Sequence, residues 1–273
     1  MAKFHRTRLA IAVESREDQA RARLVAVFAE WARSISKKAA RLYTTRKLLK
    51  ATKSVEAMVK EILDNLGIEE MADDVAAEIA TDLRAMFTAA AKTGLEQVKL
   101  EPSNEITNHL DVKAREYADA RAAELVGKRI LSDGSIVDNP STRWSIAETT
   151  REDLRAVLTD GVEQGWSSKF MADNIESSGA FGEARALMIA RTELAMAHVA
   201  GNVAGWKESG EVSHKRSLLG DNHDHLDECD ENADAGAIPF DEDFPSGDAF
   251  PPYHPNCICD VEPILREPEE SDA

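Results

Sequence analysis

The first 66 of the 273 residues contain neither glycine nor proline. Nothing in that stretch forces a turn or deletes a backbone donor, so long helices are expected there. Aromatic interleaving among its cations is thin, with Trp31 and Tyr43 only, which argues against a base-stacking groove. No run of 18 apolar residues occurs, so no membrane-spanning helix is expected. Met1 to Arg8 is basic without an apolar core, and no secretory signal is expected. A phosphate-cradling glycine loop, a nucleophile elbow and a paired-carboxylate pattern are all missing, which removes the commonest sequence grounds for an enzyme. Cysteine is the scarcest reactive residue, at three in the whole chain. An odd count and an expected reducing cytoplasm both argue against a disulfide framework.

Charge is plentiful but unevenly distributed. Residues 1–60 carry 15 Lys/Arg against 5 Asp/Glu, while residues 221–273 carry 17 Asp/Glu against Arg266 alone, within a formal net charge of −17. Such asymmetry between ends points to interaction surfaces rather than to a uniformly acidic protein.

Leu24, Phe28, Trp31, Ile35, Leu42, Leu49, Val55, Val59, Ile62 and Leu66 recur at helical spacing, predicting one amphipathic helix or a pair, stopped at Gly67. The polar face carries Arg33, Lys37, Lys38, Arg41, Arg46, Lys47, Lys50 and Lys53. These cations are either a solvated helix face within an assembly or a contact for phosphate or an acidic protein. Helical patterns continue over 69–93 and 104–126, and Asp133-Gly134 between short apolar flanks predicts a small hairpin. Further helices are expected from Ser145 to about Gln164, from Ser167 to about Ser178, and from about Phe181 onward. Val212–Leu219 reads as a strand, Asn222–Asp234 as a hydrophilic loop, and Phe240, Phe244 and Phe250 as isolated anchors.

The three cysteines, Cys229, Cys257 and Cys259, share the last quarter of the chain with His198, His214, His223, His225 and His254. Prolines 251, 252 and 255 stiffen the lead-in to the second pair. Two residues apart on extended backbone, Cys257 and Cys259 face one side and Ile258 the other. Three chemistries are open to them. They suit a tetrahedral structural zinc with thiolates and an imidazole from His254 or His225; they also suit buried free thiols, or a disulfide. The few apolar residues around them cannot form a core unaided, and a local metal would supply the missing stability.

Residues from about Thr149 to Pro263 resemble the phage Mu F-like domain of minor head, or head-morphogenesis, proteins of tailed bacteriophages. The resemblance rests on Ile189-Ala190-Arg191-Thr192-Glu193, Gly201…Gly205-Trp206, Asp221, Cys229, and Pro252…His254-Pro255-Asn256-Cys257-Ile258-Cys259. Ile258 stands where the family usually has arginine, and Leu226 where many members have another cysteine. The resemblance implies a low-copy virion head protein assembled in the host cytoplasm. Its implied partners are the portal and other capsid proteins, in capsid assembly or in DNA packaging and delivery. Arg191 and Glu193, two apart on a helix, cannot face each other, so each is expected to anchor the Cys/His region to the helix through a different partner.

The expected architecture is mostly α: a basic helical region over 1–66, a helical region with a terminal hairpin over 67–140, the Mu F-like domain over 141–265 with a small α+β Cys/His module, and an acidic tail over 266–273. Two other readings stand beside it. One is a zinc hydrolase using His223, His225 and Asp227, which follow part of the H-x-H-x-D-H pattern. The other is a non-specific DNA-binding protein acting through residues 1–60. The expectation is a structural protein, not an enzyme.

Overall fold

The computed structural model describes residues 8–48, 54–220, 223 and 226–266, with side chains not described for 8–10 and 46–48. The fold is mostly α, as the sequence predicts, with small strands confined to a mid-chain hairpin and the C-terminal region. Helix α1 (Arg8–Leu48) and α2 (Val55–Leu63) are the expected pair. Then follow α3 (Ile68–Gln97), α4 (Asn104–Leu125), the hairpin β1 (Lys128–Ile130) and β2 (Ile136–Asp138), α5 (Ile146–Glu163), α6 (Ser168–Glu176) and α7 (Glu183–Ser209). The C-terminal region adds β3 (Val212–Leu218), α8 (Glu228–Asp234), β4 (Ala237–Pro239) and β5 (Asp260–Leu265). No helix among the described residues is long and apolar enough to cross a membrane.

Caps set several of these boundaries. Ser54, Ser145 and Ser167 each accept a backbone N–H of the first turn that follows, satisfying donors the helix itself leaves unpaired. Helix α2 ends at Leu63 with Asp64 as its C-cap, before the expected stop, and Gly67 adopts φ +82° immediately before α3, a conformation open to glycine without steric cost.

The chain folds into two compact units built from non-consecutive pieces, with the boundaries inside α1, α3, α4 and α7. The second unit comprises Gln19–Ala80 and Asp119–Leu187. Its core takes Leu24, Phe28 and Ile35 from α1, Ile62 and Leu63 from α2, Leu154 and Leu158 from α5, and Met171 and Ile175 from α6, all 2% exposed or less. Arg33, Lys37, Lys38 and Arg41 lie on the opposite, exposed face of α1. Lys50 and Lys53, and the side chains of Arg46 and Lys47, fall outside the described residues.

The first unit comprises Met1–Asp18, Thr81–Ala118 and Met188–Ala273. Here α3 and α7 touch backbone to backbone. A Cβ on Gly201 would lie 2.3 Å from the Phe87 carbonyl oxygen, and one on Gly205 2.4 Å from that of Ala91. The Gly201…Gly205 spacing therefore lets the two helices approach closer than side chains permit. Trp206 is buried beside this contact and donates Nε1–H to Gln97 Oε1 at 2.9 Å. The strands form an antiparallel sheet in the order β4-β3-β5, with Ser217 opposite Val261 and Leu218 opposite Asp260.

One expectation needs correction. The hydrophilic stretch read as a loop contains helix α8, whose residues Glu228–Asp234 have no apolar periodicity. A reciprocal capping box makes it: Cys229 N–H donates to Asp227 Oδ1 at 2.8 Å, and Asp227 N–H donates to Asp230 Oδ2 at 3.0 Å. These bonds satisfy the first-turn donors where packing cannot stabilise the helix.

Candidate metal centre

Three segments of the first unit meet beside the end of β3. Helix α8 brings Cys229 in its first turn, the strand β5 is immediately preceded by Cys259, and the segment between carries His254 and Cys257. Two anchors fix that segment. Tyr253 donates its buried hydroxyl to Ser217 Oγ on β3 at 3.0 Å. After it the chain reverses over His254-Pro255-Asn256-Cys257, with Cys257 N–H donating to the His254 carbonyl at 3.1 Å. Asn256 sits at φ +64°, and proline followed by a left-handed asparagine is the residue order of a type II turn. The Asn256 N–H donates to the Thr192 hydroxyl on α7 at 3.0 Å.

This scaffold converges the thiols. Cys229 Sγ lies 3.7 Å from Cys257 Sγ and 3.3 Å from His254 Nε2. Cys259 Sγ and one ring nitrogen of His223 lie within 4.8 Å of each other and of Cys229 Sγ. All three cysteines are 1% exposed or less, whereas the His254 side chain is 35% exposed and that of His223 12%. Cys257 and Cys259 do face one side as their spacing predicts, while Ile258 packs against Gly220, where a Cβ would lie 2.6 Å from its Cγ1.

The two imidazoles differ in their outer contacts. His254 Nδ1 is 2.9 Å from the Pro255 carbonyl oxygen. A carbonyl only accepts, so Nδ1 carries the proton and the Nε2 lone pair faces Cys229. His223 Nε2 contacts Asp230 Oδ2 at 2.8 Å, and that carboxylate raises the histidine's pKa and has its own lowered. Asp227 lies between the rings, with Oδ2 3.4 Å from His254 Nε2 and Oδ1 3.8 Å from His223 Nε2. Hydrogen bonds from Cys229 and then Cys259 hold the Cys257 thiol well below the usual range. Those same contacts, led by Cys257, push the Cys229 thiol up. Three close thiols cannot all ionise together unless a cation joins them. The cluster thus offers up to three sulfurs and two imidazoles, backed by two carboxylates, and could hold one metal ion.

The remaining nominated residues are placed as follows. His225 and Asp221 fall outside the described residues. Arg191 does not reach the Cys/His region. Its Nε and Nη2 make a bidentate pair with Glu17 on α1, both at 3.0 Å. The residue of that motif which ties the helix to the cluster is Thr192, and Pro255 and Asn256 act through the turn. Glu193 is buried. His223 entered the sequence reading among the clustered histidines and in the hydrolase pattern, and its place beside Cys229 and Cys259 was missed. Its seven-residue separation from Asp230, across an unforeseen helix, gave no periodic signal.

Near the cluster, β3 sends Lys215 inward. It is completely buried, donates to the Ala249 carbonyl at 2.7 Å, and stands 4.1 Å from the Phe250 ring centroid and 5.2 Å from that of Phe244. Burial lowers its pKa, and the nearby carboxylates of Asp243, Asp241 and Glu242 oppose that shift. This contact pins the loop after β4, whose anchors Phe240, Phe244 and Phe250 the sequence singled out.

No curated protein and no solved structure matches the chain. Residues 152–262 match the family model described as Phage Mu protein F like protein. That span contains α6, α7, β3, α8, β4, the start of β5 and every cysteine. Over these residues, less than half of its length, the chain is similar to the phage Mu F-like family.

Proposed function

We propose that this protein is a minor head protein of a tailed bacteriophage, present in few copies. It acts with the portal and other capsid proteins in head assembly or in DNA packaging and delivery, its C-terminal module clamped by one structural zinc ion. The similarity of residues 152–262 to the phage Mu F-like family supports the head-morphogenesis role. The zinc reading rests on one observation: Cys229 is buried with Cys257 and Cys259 and joins two close groups, one with Cys257 and the His254 ring and one with Cys259 and the His223 ring. With Zn–S at about 2.3 Å and Zn–N at about 2.0 Å, tetrahedral geometry gives S···S edges of about 3.8 Å and S···N edges of about 3.5 Å. The 3.7 Å and 3.3 Å separations at Cys229 fit those edges. Cys229, Cys257 and His254 are the ligands these separations favour, with Cys259 proposed as the fourth, and such an ion contributes folding free energy directly. Burial of the sulfurs suits a closed structural site better than a catalytic one, which keeps a position open to water.

The exposed cations Arg33, Lys37, Lys38 and Arg41 make no ion pair among the described residues, and they are the surface assigned to the portal or to packaged DNA. A second reading as a zinc hydrolase draws on the mutual approach of His223, Asp227 and Asp230.

One preparation tests these readings. Elemental analysis is expected to give one zinc per chain, lost in Cys257→Ser, and co-expression with the portal is expected to give a stable complex. Metal-free protein with reduced thiols would overturn the clamp, and failure to associate with portal or capsid proteins would overturn the role. Phosphodiester or ester turnover abolished by His225→Ala without unfolding would favour the hydrolase.

A further inference from the structure

The thiol and imidazole cluster holds more donors than one ion can use. A tetrahedral ion takes four ligands, whereas three thiols and two imidazoles converge here. They fall into two trios. Cys257 and His254 make one with Cys229, while Cys259 and His223 make the other, and within each trio the ligand atoms lie within 4.8 Å of one another. Cys229, in the first turn of α8, is the member common to both.

Each imidazole is oriented as a ligand. His254 turns Nδ1–H to the Pro255 carbonyl, and its Nε2 stands 3.3 Å from Cys229 Sγ. His223 turns Nε2 to the Asp230 carboxylate at 2.8 Å. A carboxylate accepts, so that nitrogen carries the proton and the neutral ring keeps its lone pair on Nδ1. Metal-binding histidines are commonly fixed in this way, by a carbonyl or a carboxylate on the far nitrogen. Both rings have such a partner, yet an ion held by three thiolates needs only one of them.

Charge leads the same way. The three thiolates and the Asp227 carboxylate together carry four negative charges. One divalent ion offsets half of that, and buried charge left unbalanced is costly. Two divalent ions offset all of it. A thiolate keeps spare lone pairs, so one sulfur can bind two soft-accepting ions at once. Asp227 also stands where a further ligand of the first ion would be: its Oδ2 is 3.4 Å from His254 Nε2, against a tetrahedral N···O edge of about 3.3 Å for bonds of about 2.0 Å.

We propose that the cluster binds a second divalent cation of the zinc type through Cys229, Cys259 and His223, with the Cys229 thiolate shared between the two ions. This site rests on the zinc clamp proposed above and extends it. Cys259 passes to the second ion as that ion binds, and Asp227 takes the position it leaves at the first. The second ion shares a thiolate already bound to the first and has three protein ligands, so it binds more weakly. Purified protein therefore carries one ion and takes the second from solution.

The experiment uses reduced full-length protein. Native mass spectrometry counts ions per chain as zinc is added, and cadmium NMR reads the fully loaded protein. The wild type is expected to rise from one zinc to two, and its cadmium form to give two resonances split by coupling through the common sulfur. His223→Ala leaves every ligand of the first ion in place and is expected to stop at one zinc, with circular dichroism verifying its helix content. The coupling is read on the wild type and needs no variant. A wild type that stops at one zinc overturns the second site and leaves the clamp standing, whereas protein that binds no zinc overturns both. A second zinc that persists in His223→Ala, or two cadmium resonances without mutual coupling, marks adventitious binding by an acidic chain and overturns the proposal.

Discussion

The backbone N–H of Asn256 donates to the hydroxyl of Thr192 at 3.0 Å, across 64 positions of sequence. This bond fastens the turn carrying His254 and Cys257 to α7. Thr192 is 4% exposed, so replacing it by valine keeps the shape and leaves the turn's donor without a partner. Thr192→Val is expected to lower stability by about 1–3 kcal/mol, the desolvation cost of an unpaired buried donor, while Thr192→Ser stays close to wild type. Urea titration of the three proteins checks this. Equal stability for valine and threonine would show that the bond is not needed to hold the turn.

The thiol cluster gives a prediction in which metal and mutation must agree. If zinc joins Cys229, Cys257, Cys259 and His254, chelation is expected to lower the wild-type melting temperature and to leave Cys257→Ser unchanged, because that variant has already lost the ion. Thermal scans with and without chelator under reducing conditions read the effect. A wild type indifferent to chelation, with no metal by elemental analysis, identifies the cluster as buried thiols.

At Gly201 two effects oppose each other. Alanine in a helix interior is worth about 1 kcal/mol over glycine. Here, however, the new Cβ would lie 2.3 Å from the Phe87 carbonyl oxygen and 2.8 Å from the Ala90 Cβ, and backbone cannot step aside as a flexible side chain can. Overpacking typically costs about 1–3 kcal/mol, so Gly201→Ala is expected to be net destabilising. Gly179, whose added Cβ meets nothing within 4 Å, is the control, and Gly179→Ala is expected to be neutral or slightly stabilising. Equilibrium unfolding of both variants decides the sign.

What could be read from sequence follows the range of the forces involved. The α1–α2 pair, the hairpin at Asp133-Gly134 and the cap at Ser167 come from near neighbours, and all are where the residues place them. The turn at Pro255-Asn256 is equally local. Helix α8 escaped because capping carboxylates, rather than an apolar stripe, hold it. Arg191 escaped because its partner Glu17 lies 174 positions away, where no spacing rule reaches. The two units escaped because four long helices run from one into the other, so no composition change marks their limits. At the cluster, the crowding of cysteines and histidines was visible, but which imidazole faces the sulfurs depends on loop geometry that residue spacing does not encode.

His198 gives the protein a calculable acid sensitivity. It is 3% exposed on α7, and both ring nitrogens lack a hydrogen-bond partner. Burial lowers its pKa from 6.5 to about 4. Above pH 6.5 the ring is neutral in folded and unfolded chains, and its contribution is fully present. As pH falls from 6.5 toward 4, the unfolded chain takes up a proton the folded chain refuses, and stability is lost. The loss approaches about 3 kcal/mol in total and is about 2 kcal/mol at pH 5. His198→Phe keeps a ring of similar size and removes both unpaired polar atoms. It is expected to gain on the wild type by about that amount when pH is lowered from 7.5 to 5. His223, whose pKa is raised by Asp230, also titrates over this range, equally in both proteins. The difference between variant and wild type, measured by urea titration at the two pH values, isolates position 198. A difference that does not change with pH would mean that His198 already exchanges protons with water in the folded protein.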